Sequence, residues 1–149
     1  MREFYTTIDF LKSLLQEDIN VHTILHGLKS TMDINKKNIF PIAHIQVTNS
    51  TIQTGYVGFT FEVVAVDLRN ISKQMVTDKW LGNELDNLNT THAILNRLLT
   101  KLRNTRNDFK IELNNEPSLQ PIIFEETNLL DGWRTEIELI IPNYEINVC

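Results

Sequence analysis

A run of alternating apolar and polar residues near the end of the sequence constrains the fold more than any other feature. The run follows the turn-forming pair Asp131-Gly132 and stops at Pro142. Because side chains alternate between the two faces of a strand, one face is apolar and the other is charged. The apolar face carries Trp133, Ile137, Leu139 and Ile141, and the charged face carries Arg134, Glu136 and Glu138. Such a strand needs strand neighbours for its backbone and a second layer over its apolar face.

Length and composition predict one soluble domain. The chain has 149 residues, of which 42% are hydrophobic, and its longest apolar runs fall well short of the ~20 residues that span a bilayer. Charged residues interrupt the first segment, which is therefore unlike a secretory signal, and we expect a cytosolic protein without a membrane partner. The lone cysteine, Cys149, predicts neither an intrachain disulfide nor a zinc site.

The net charge of -5 argues against sequence-reading binding of DNA or RNA, because such proteins carry a basic surface. It is compatible with a protein that surrounds DNA without gripping it. An acidic lining would let a polyanion slide past.

Apolar spacing predicts two main helices and one short helical piece. Phe4, Ile8 and Leu11 follow helical spacing in the first, over residues 3–16. The short piece covers residues 21–28. The second main helix, over residues 89–103, has an Asn-Thr-Thr start and basic residues in its later turns.

Alternation predicts strands between and after these helices. The predicted strands cover residues 42–47, 56–68, 122–127 and 133–141, with a possible short strand over residues 109–113. The first two form an antiparallel hairpin with a long tip. Residues 29–38 are predicted to be a solvated loop, residues 71–89 an ordered connection and residues 104–108 a polar turn.

The order α-β-β-α-β-β defines the predicted class as α+β. We expect residues 1–149 to form one domain. Its antiparallel sheet has four strands, or slightly more, with two main helices on one face.

Motifs of catalysis are absent from the sequence. There is no nucleophile elbow, phosphate-binding loop or zinc-protease motif, so we predict neither catalytic residues nor a cofactor. The sharpest metal hypothesis is Asp18, His22 and His26, which share one face if their segment is helical. Ordinary surface histidines are the more frequent explanation of this spacing. Trp133 has two interpretations. It could stack against a ligand, but a tryptophan at the start of a core-facing strand is more often a core or interface residue.

With this order of elements, the chain resembles tail terminator and tail-completion proteins of tailed bacteriophages, and related ring proteins of head-to-tail connectors, including those of crAss-like phages. Three places carry the resemblance: the hairpin Phe40-Pro41-Ile42-Ala43-His44-Ile45 with Phe59-Thr60-Phe61-Glu62-Val63; Leu81-Gly82-Asn83-Glu84 leading through Leu88-Asn89-Thr90-Thr91 to Leu95-Asn96-Arg97-Leu98; and the closing Gly132-Trp133, Ile141-Pro142-Asn143 and Cys149.

The resemblance implies a structural virion protein that has no active site and is assembled in the cytoplasm of a bacterial host. Its partners would be copies of itself in a closed ring of six or twelve, and neighbouring portal, neck or tail proteins. DNA would pass through the lumen without sequence-specific binding.

A closed ring needs a heterologous interface, for which edge strands and a projecting hairpin tip are suitable. The predicted interface residues are Thr48, Asn49, Ser50, Thr51, Ile52, Gln53, Thr54 and Gly55 of the tip, with Val64, Val66 and Trp80. The second face of the strand over residues 56–68 is partly apolar, through Val64, Val66 and Leu68, which indicates that something beyond the two helices covers it. Two alternatives stay open: an adaptor domain that binds a protein partner through this apolar surface, and a small enzyme using the Asp18, His22 and His26 face.

Overall fold

The computed structural model describes residues 3–27, 40–68, 84–104, 109–123 and 130–142. The elements within these ranges are two helices and six strands. In chain order they are α1 (Glu3–Gln16), β1 (Thr23–His26), β2 (Ile42–Gln53), β3 (Tyr56–Leu68), α2 (Glu84–Asn104), β4 (Glu112–Leu113), β5 (Leu119–Ile122) and β6 (Leu130–Pro142).

The α+β class is confirmed, but the sheet is larger than predicted and is mixed. Its strand order is β1-β2-β3-β6-β4, and β5 also pairs with β6. β1 runs parallel to β2, whereas every other pair is antiparallel. Each half of the chain therefore has one short strand more than the predicted α-β-β-α-β-β order.

The helix predicted over residues 21–28 is wrong, because this segment forms β1. The backbone N–H of His22 donates to Pro41 O at 3.0 Å, and the N–H of Gly27 donates to Ile45 O at 3.0 Å. Gly27 then leaves the strand with a φ of 109°, in the left-handed region that favours glycine. Pairing with β2 has overridden a weak helical pattern.

The hairpin of β2 and β3 is longer than predicted. Its strands continue through most of the predicted tip and leave Thr54 and Gly55 as the turn. Gly55 adopts a φ of 91°, which a residue with a Cβ rarely adopts. The register shifts between Val47 and Asn49, so a β-bulge interrupts β2.

The bounds of other elements also differ from the predicted ones. α2 begins at Glu84 rather than at residue 89, so part of the predicted connection is helical. β5 ends at Ile122, where the third main strand was predicted to begin. Trp80 and residues 29–38, 71–83, 105–108 and 124–127 lie outside the described residues.

Both helices cover the same face of the sheet, as predicted. α1 contributes Ile8, Phe10, Leu11, Leu14 and Leu15 to one buried apolar cluster, and α2 contributes Ile94, Leu95, Leu98, Leu99 and Leu102. Beneath them lie the odd-numbered side chains of the long strands, including Phe61, Val63, Ile137 and Leu139. The predicted division of β6 is confirmed: Ile137, Leu139 and Ile141 are buried, whereas Arg134 and Glu136 are exposed.

Gly132 lies inside β6 rather than in the turn expected of Asp131-Gly132. It pairs with Val66 of β3, and a Cβ built on it would lie 1.9 Å from Ala65 O. Its lack of a side chain therefore permits close contact between the two longest strands. Gly58, near the other end of the same ladder, provides a contrast, since its Cβ would find no atom nearer than 3.6 Å.

We predict that Gly132→Ala destabilises the fold by about 3 kcal/mol or more, because the methyl group meets a backbone carbonyl that cannot move alone. Gly58→Ala is the matched control and should stay within about 1 kcal/mol of the unaltered chain. Urea unfolding measures both. Equal stability of the two variants would contradict this packing of β6 on β3.

Candidate subunit interface

The predicted interface residues of the hairpin lie on its projecting end. Every residue from Thr48 to Thr54 is exposed, and Gly55 is half-buried. The two apolar side chains of this end are open to solvent, with Ile52 exposed at 72% and Val47 at 42%. The structure therefore makes this surface available for contact.

The outer edge of this part of β2 is free of strand neighbours among the described residues. β1 pairs with β2 only over residues 42–45, and beyond Ile45 the strand pairs with β3 alone. Gln53 and Tyr56 flank the two-residue turn and exchange both backbone bonds of a hairpin. By the alternation of the ladder, Ser50 and Ile52 direct their N–H and C=O groups away from β3.

This edge lacks the usual protection against pairing with another chain. Natural edges carry charges, prolines or distortions, but residues 46–54 contain no charged residue and no proline. The bulge near Val47 is their one irregularity, and pairing is regular from Asn49 onward. The opposite side of the sheet differs, because β5 is short and contains Pro121.

A groove of about 550 Å³ runs beside this edge, between β2 and the start of α1. Its lining includes Phe4, Tyr5, Ile45 and Val47, with Asp9 and Lys12 among the polar residues. The Phe4 ring packs edge-on against Phe59, with centroids 5.5 Å apart, yet Tyr5 remains 65% exposed. An apolar floor thus adjoins unpaired backbone groups. The groove was not predicted, because it is formed by residues from α1, β1 and β2 that are far apart in the sequence.

Val64 and Val66 lie away from this surface. They belong to a second apolar cluster, with Ile42 and Leu130, on the face of the sheet opposite the helices. Their exposures are 0% and 1%, so their side chains offer no surface to a neighbouring subunit. The partly apolar second face read from the sequence is thus explained, over these residues, by a small internal core. Trp80 lies outside the described residues.

Polar residues occupy much of the rest of that second face. Glu62 lies directly opposite Glu136 across β3 and β6, and Glu138 lies opposite Thr60. Arg134 Nε donates to Gln120 Oε1 at 3.1 Å. The depression beside them has a volume of about 270 Å³ and is open to solvent. It is lined by polar side chains that include Glu62, Asn115, Glu116, Gln120, Arg134 and Glu136. The surface is more acidic than basic.

The residues of the metal hypothesis are not brought together, because they have other contacts. Asp18 accepts two bonds from Arg97, at 2.7 Å and 2.9 Å, and its side chain is only 3% exposed. His22 lies before a strand, not on a helix, and its Nδ1 lies 2.8 Å from Phe40 O. His26 lines the groove beside β2. The described residues include no group of three or more histidine, cysteine or acidic side chains that could hold a metal ion.

Asp18 joins the end of α1 to α2 electrostatically. Burial alone would raise the pKa of its carboxyl, but bonds from Arg97 and from the Asn20 N–H, together with the charges of Arg97 and Lys101, bring that pKa below 3.8. The ionised form is therefore favoured by folding.

The sequence analysis did not predict a pair of facing aspartates. Asp67 and Asp131 lie opposite each other across β3 and β6. Burial, aided by the charge of Asp131, raises the pKa of Asp67 despite opposing effects of the Leu68 N–H and His22. Asn87 Nδ2 donates to Leu68 O at 3.1 Å and lies 3.4 Å from Asp131 Oδ2. This polar cluster ties the first turns of α2 to the sheet.

Trp133 also ties α2 to the sheet. Its Nε1 donates to Leu88 O at 2.9 Å, and its ring meets His92 edge-on at 5.2 Å. It packs against the main core and is half-buried. These contacts support the core interpretation of Trp133 over a stacking platform.

Comparisons with known proteins add no relative: no protein-family model matches the chain, and neither does any curated protein. Among the described residues, no helix is long and apolar enough to cross a membrane.

We predict that Arg97→Ala costs about 1–3 kcal/mol at neutral pH, because it leaves the buried Asp18 carboxylate without its main donor. The folded-state pKa of Asp18 lies below the unfolded value of 3.8. Its stabilising contribution is therefore present above 3.8 and is lost as pH falls through the folded-state pKa. The stability difference between variant and unaltered chain should shrink over that acidic window.

Urea unfolding across pH tests this, with Lys101→Ala as the control. Lys101 pairs with the exposed Glu17 at 3.1 Å, and its loss should cost less than about 1 kcal/mol. A similar loss in both variants would exclude a special role for the Asp18–Arg97 pair.

Proposed function

We propose that this protein is a structural ring subunit of a tailed-bacteriophage virion. It would act in the head-to-tail connector or tail as a tail terminator or tail-completion protein, joining portal or neck to tail. The resemblance of residues 40–45, 59–63, 81–98 and 132–149 to those proteins supports the phage assignment. Assembly in the host cytoplasm and residence in the virion follow from that assignment.

The observation that carries the assembly role is the unprotected edge of β2. A β-edge without charge or proline would expose the chain to uncontrolled pairing unless a partner covers it. The opposite edge of the sheet, at β5, has a different shape and chemistry, so the contact is more readily heterologous than two-fold. Heterologous contacts generate rings when their rotation closes, and six or twelve copies are the numbers we propose.

The acidic second face supports a further part of the proposal, the passage of DNA. Glu62, Glu136 and Glu138 share that face, and repulsion between a channel wall and the phosphate backbone would prevent adhesion. We propose that this face lines the lumen.

The groove beside β2 favours one alternative, a protein-binding adaptor domain. Its apolar floor adjoins a free strand edge, which suits binding of an extended peptide. Particle mass separates the two functions, because an adaptor would be a monomer or dimer on its own.

We predict that the purified chain, alone or on a partner ring, forms particles of six or twelve copies. Ser50→Pro should reduce them to monomers, because proline removes an outward N–H from the edge without touching the ladder to β3. Ser50→Ala keeps that N–H and should assemble normally. Mass photometry and electron microscopy measure both outcomes. Proline-insensitive rings would remove the β2 edge from the interface, and a chain that never exceeds a dimer would favour the adaptor.

We also predict that the lumen of the assembled particle is predominantly acidic. An electron-microscopy map of the ring reveals which side chains face the channel. A lumen lined mainly by lysine and arginine would contradict the proposed passage of DNA without adhesion.

A further inference from the structure

We propose that the edge of β2 that no described strand covers is completed by residues 144–148 of a neighbouring copy, which add to it as a strand. This inference rests on the proposed function, since it names the segment that joins one subunit to the next. The unprotected edge and the apolar groove define the binding surface. The occupant follows from sequence pattern and from distance.

The sequence after β6 has the pattern of a strand that covers an apolar groove. Residues 143–149 lie outside the described part of the chain. Tyr144, Ile146 and Val148 alternate with Asn143, Glu145 and Asn147. In an extended conformation the three apolar side chains share one face, and the polar ones share the other.

The two sides of this strand match the two sides of the β2 edge. The register of the hairpin places Ser50 and Ile52 on the helix-bearing face, beside Val57 and Phe59, and places Asn49, Thr51 and Gln53 on the other. Tyr144, Ile146 and Val148 on the helix-bearing face would cover Ile52, which is 72% exposed. The polar residues would then adjoin the amide and hydroxyl side chains of β2.

Length also fits. The regular part of the edge, residues 49–53, is five residues long, as is the segment 144–148. At about 3.3 Å per residue, both extend about 16 Å. The match allows the outward groups of β2 to pair along the segment.

Distance excludes the same arrangement within one copy. Pro142, the last described residue, pairs with Tyr56 and therefore lies beside the hairpin turn but on β6. A strand added to β2 would lie three strand spacings away, about 14 Å at about 4.8 Å each. Tyr144 is two residues past Pro142, and two residues reach at most about 7 Å. The full segment can therefore lie on β2 only in a second copy.

Two full-length variants test the proposal. Ile146→Asp places a charge on the apolar side of the segment, and Ser50→Pro blocks the receiving edge. Each alone should lower the association constant by about thirtyfold or more, the effect of losing an interface hot spot. Asn147→Asp changes the polar side and is the matched control, for which we expect normal assembly. Unfolding curves of all three variants establish that the monomers are intact.

Mixing the two variants gives the decisive measurement. The Ser50→Pro copy keeps a competent segment, and the Ile146→Asp copy keeps a competent edge. Together they should form a dimer of one copy of each, which cannot grow, whereas neither forms dimers alone. Analytical ultracentrifugation with one variant fluorescently labelled detects this species.

The outcomes separate this inference from the proposed function. Rings that persist in Ile146→Asp would overturn the inference and leave the ring function standing. Loss of assembly in Ser50→Pro but not in Ile146→Asp would show that β2 pairs with another segment, and would also overturn it. Open chains that depend on Ile146 would sustain the inference and contradict a closed ring. An unaltered chain that stays monomeric, with no mixed dimer, would contradict both.

Discussion

The ladder between β3 and β6 is the interaction on which the rest of the structure depends. All thirteen residues of β3, from Tyr56 to Leu68, pair with residues of β6. Both strands place apolar side chains under the helices, and Val64 and Val66 fill a second cluster on the other face. With its centre buried on both sides, this pair fixes the register of the sheet. Gly132 allows a close contact in the ladder, where a Cβ would collide with Ala65 O.

The position of this ladder decides which edges of the sheet are open. β6 is shared by β4 and β5 on its outer side, and the side chain of Asn115 fills the gap between them, accepting from Glu138 N–H and donating to Glu136 O, both at 3.0 Å. On the other side, β1 is too short to cover β2 beyond Ile45. One edge is thus closed by short strands and side chains, and along the other, uncharged edge no described strand pairs with β2 beyond Ile45. The proposed head-to-tail assembly would use this asymmetry.

The local sequence was sufficient to predict an element where its apolar residues followed a single period, either that of a helix or that of a strand. The first helix has the predicted bounds, and so does the strand from Tyr56 to Leu68. The helix predicted over residues 21–28 was wrong because the local pattern was weak and pairing with β2 determined the conformation. The hairpin tip was predicted to be too long because Thr48, Asn49 and Ser50 are common in turns. In the structure they continue a strand, because β3 supplies their partners. Of the predicted interface residues, Thr48 to Gly55 are accessible, whereas Val64 and Val66 are buried.

The sequence by itself determined the two amphipathic helices, the long alternating strands and the scarcity of catalytic motifs, because these depend on residue type and local spacing. Only the tertiary structure decided that β1 is parallel, that Asp18 pairs with Arg97 rather than with the histidines, and that no described strand covers the outer edge of β2 beyond Ile45. Each depends on contacts between residues far apart in the chain, Asp18 and Arg97 being 79 positions apart. A local pattern fixes which way a side chain points, but the packed sheet decides which group it meets.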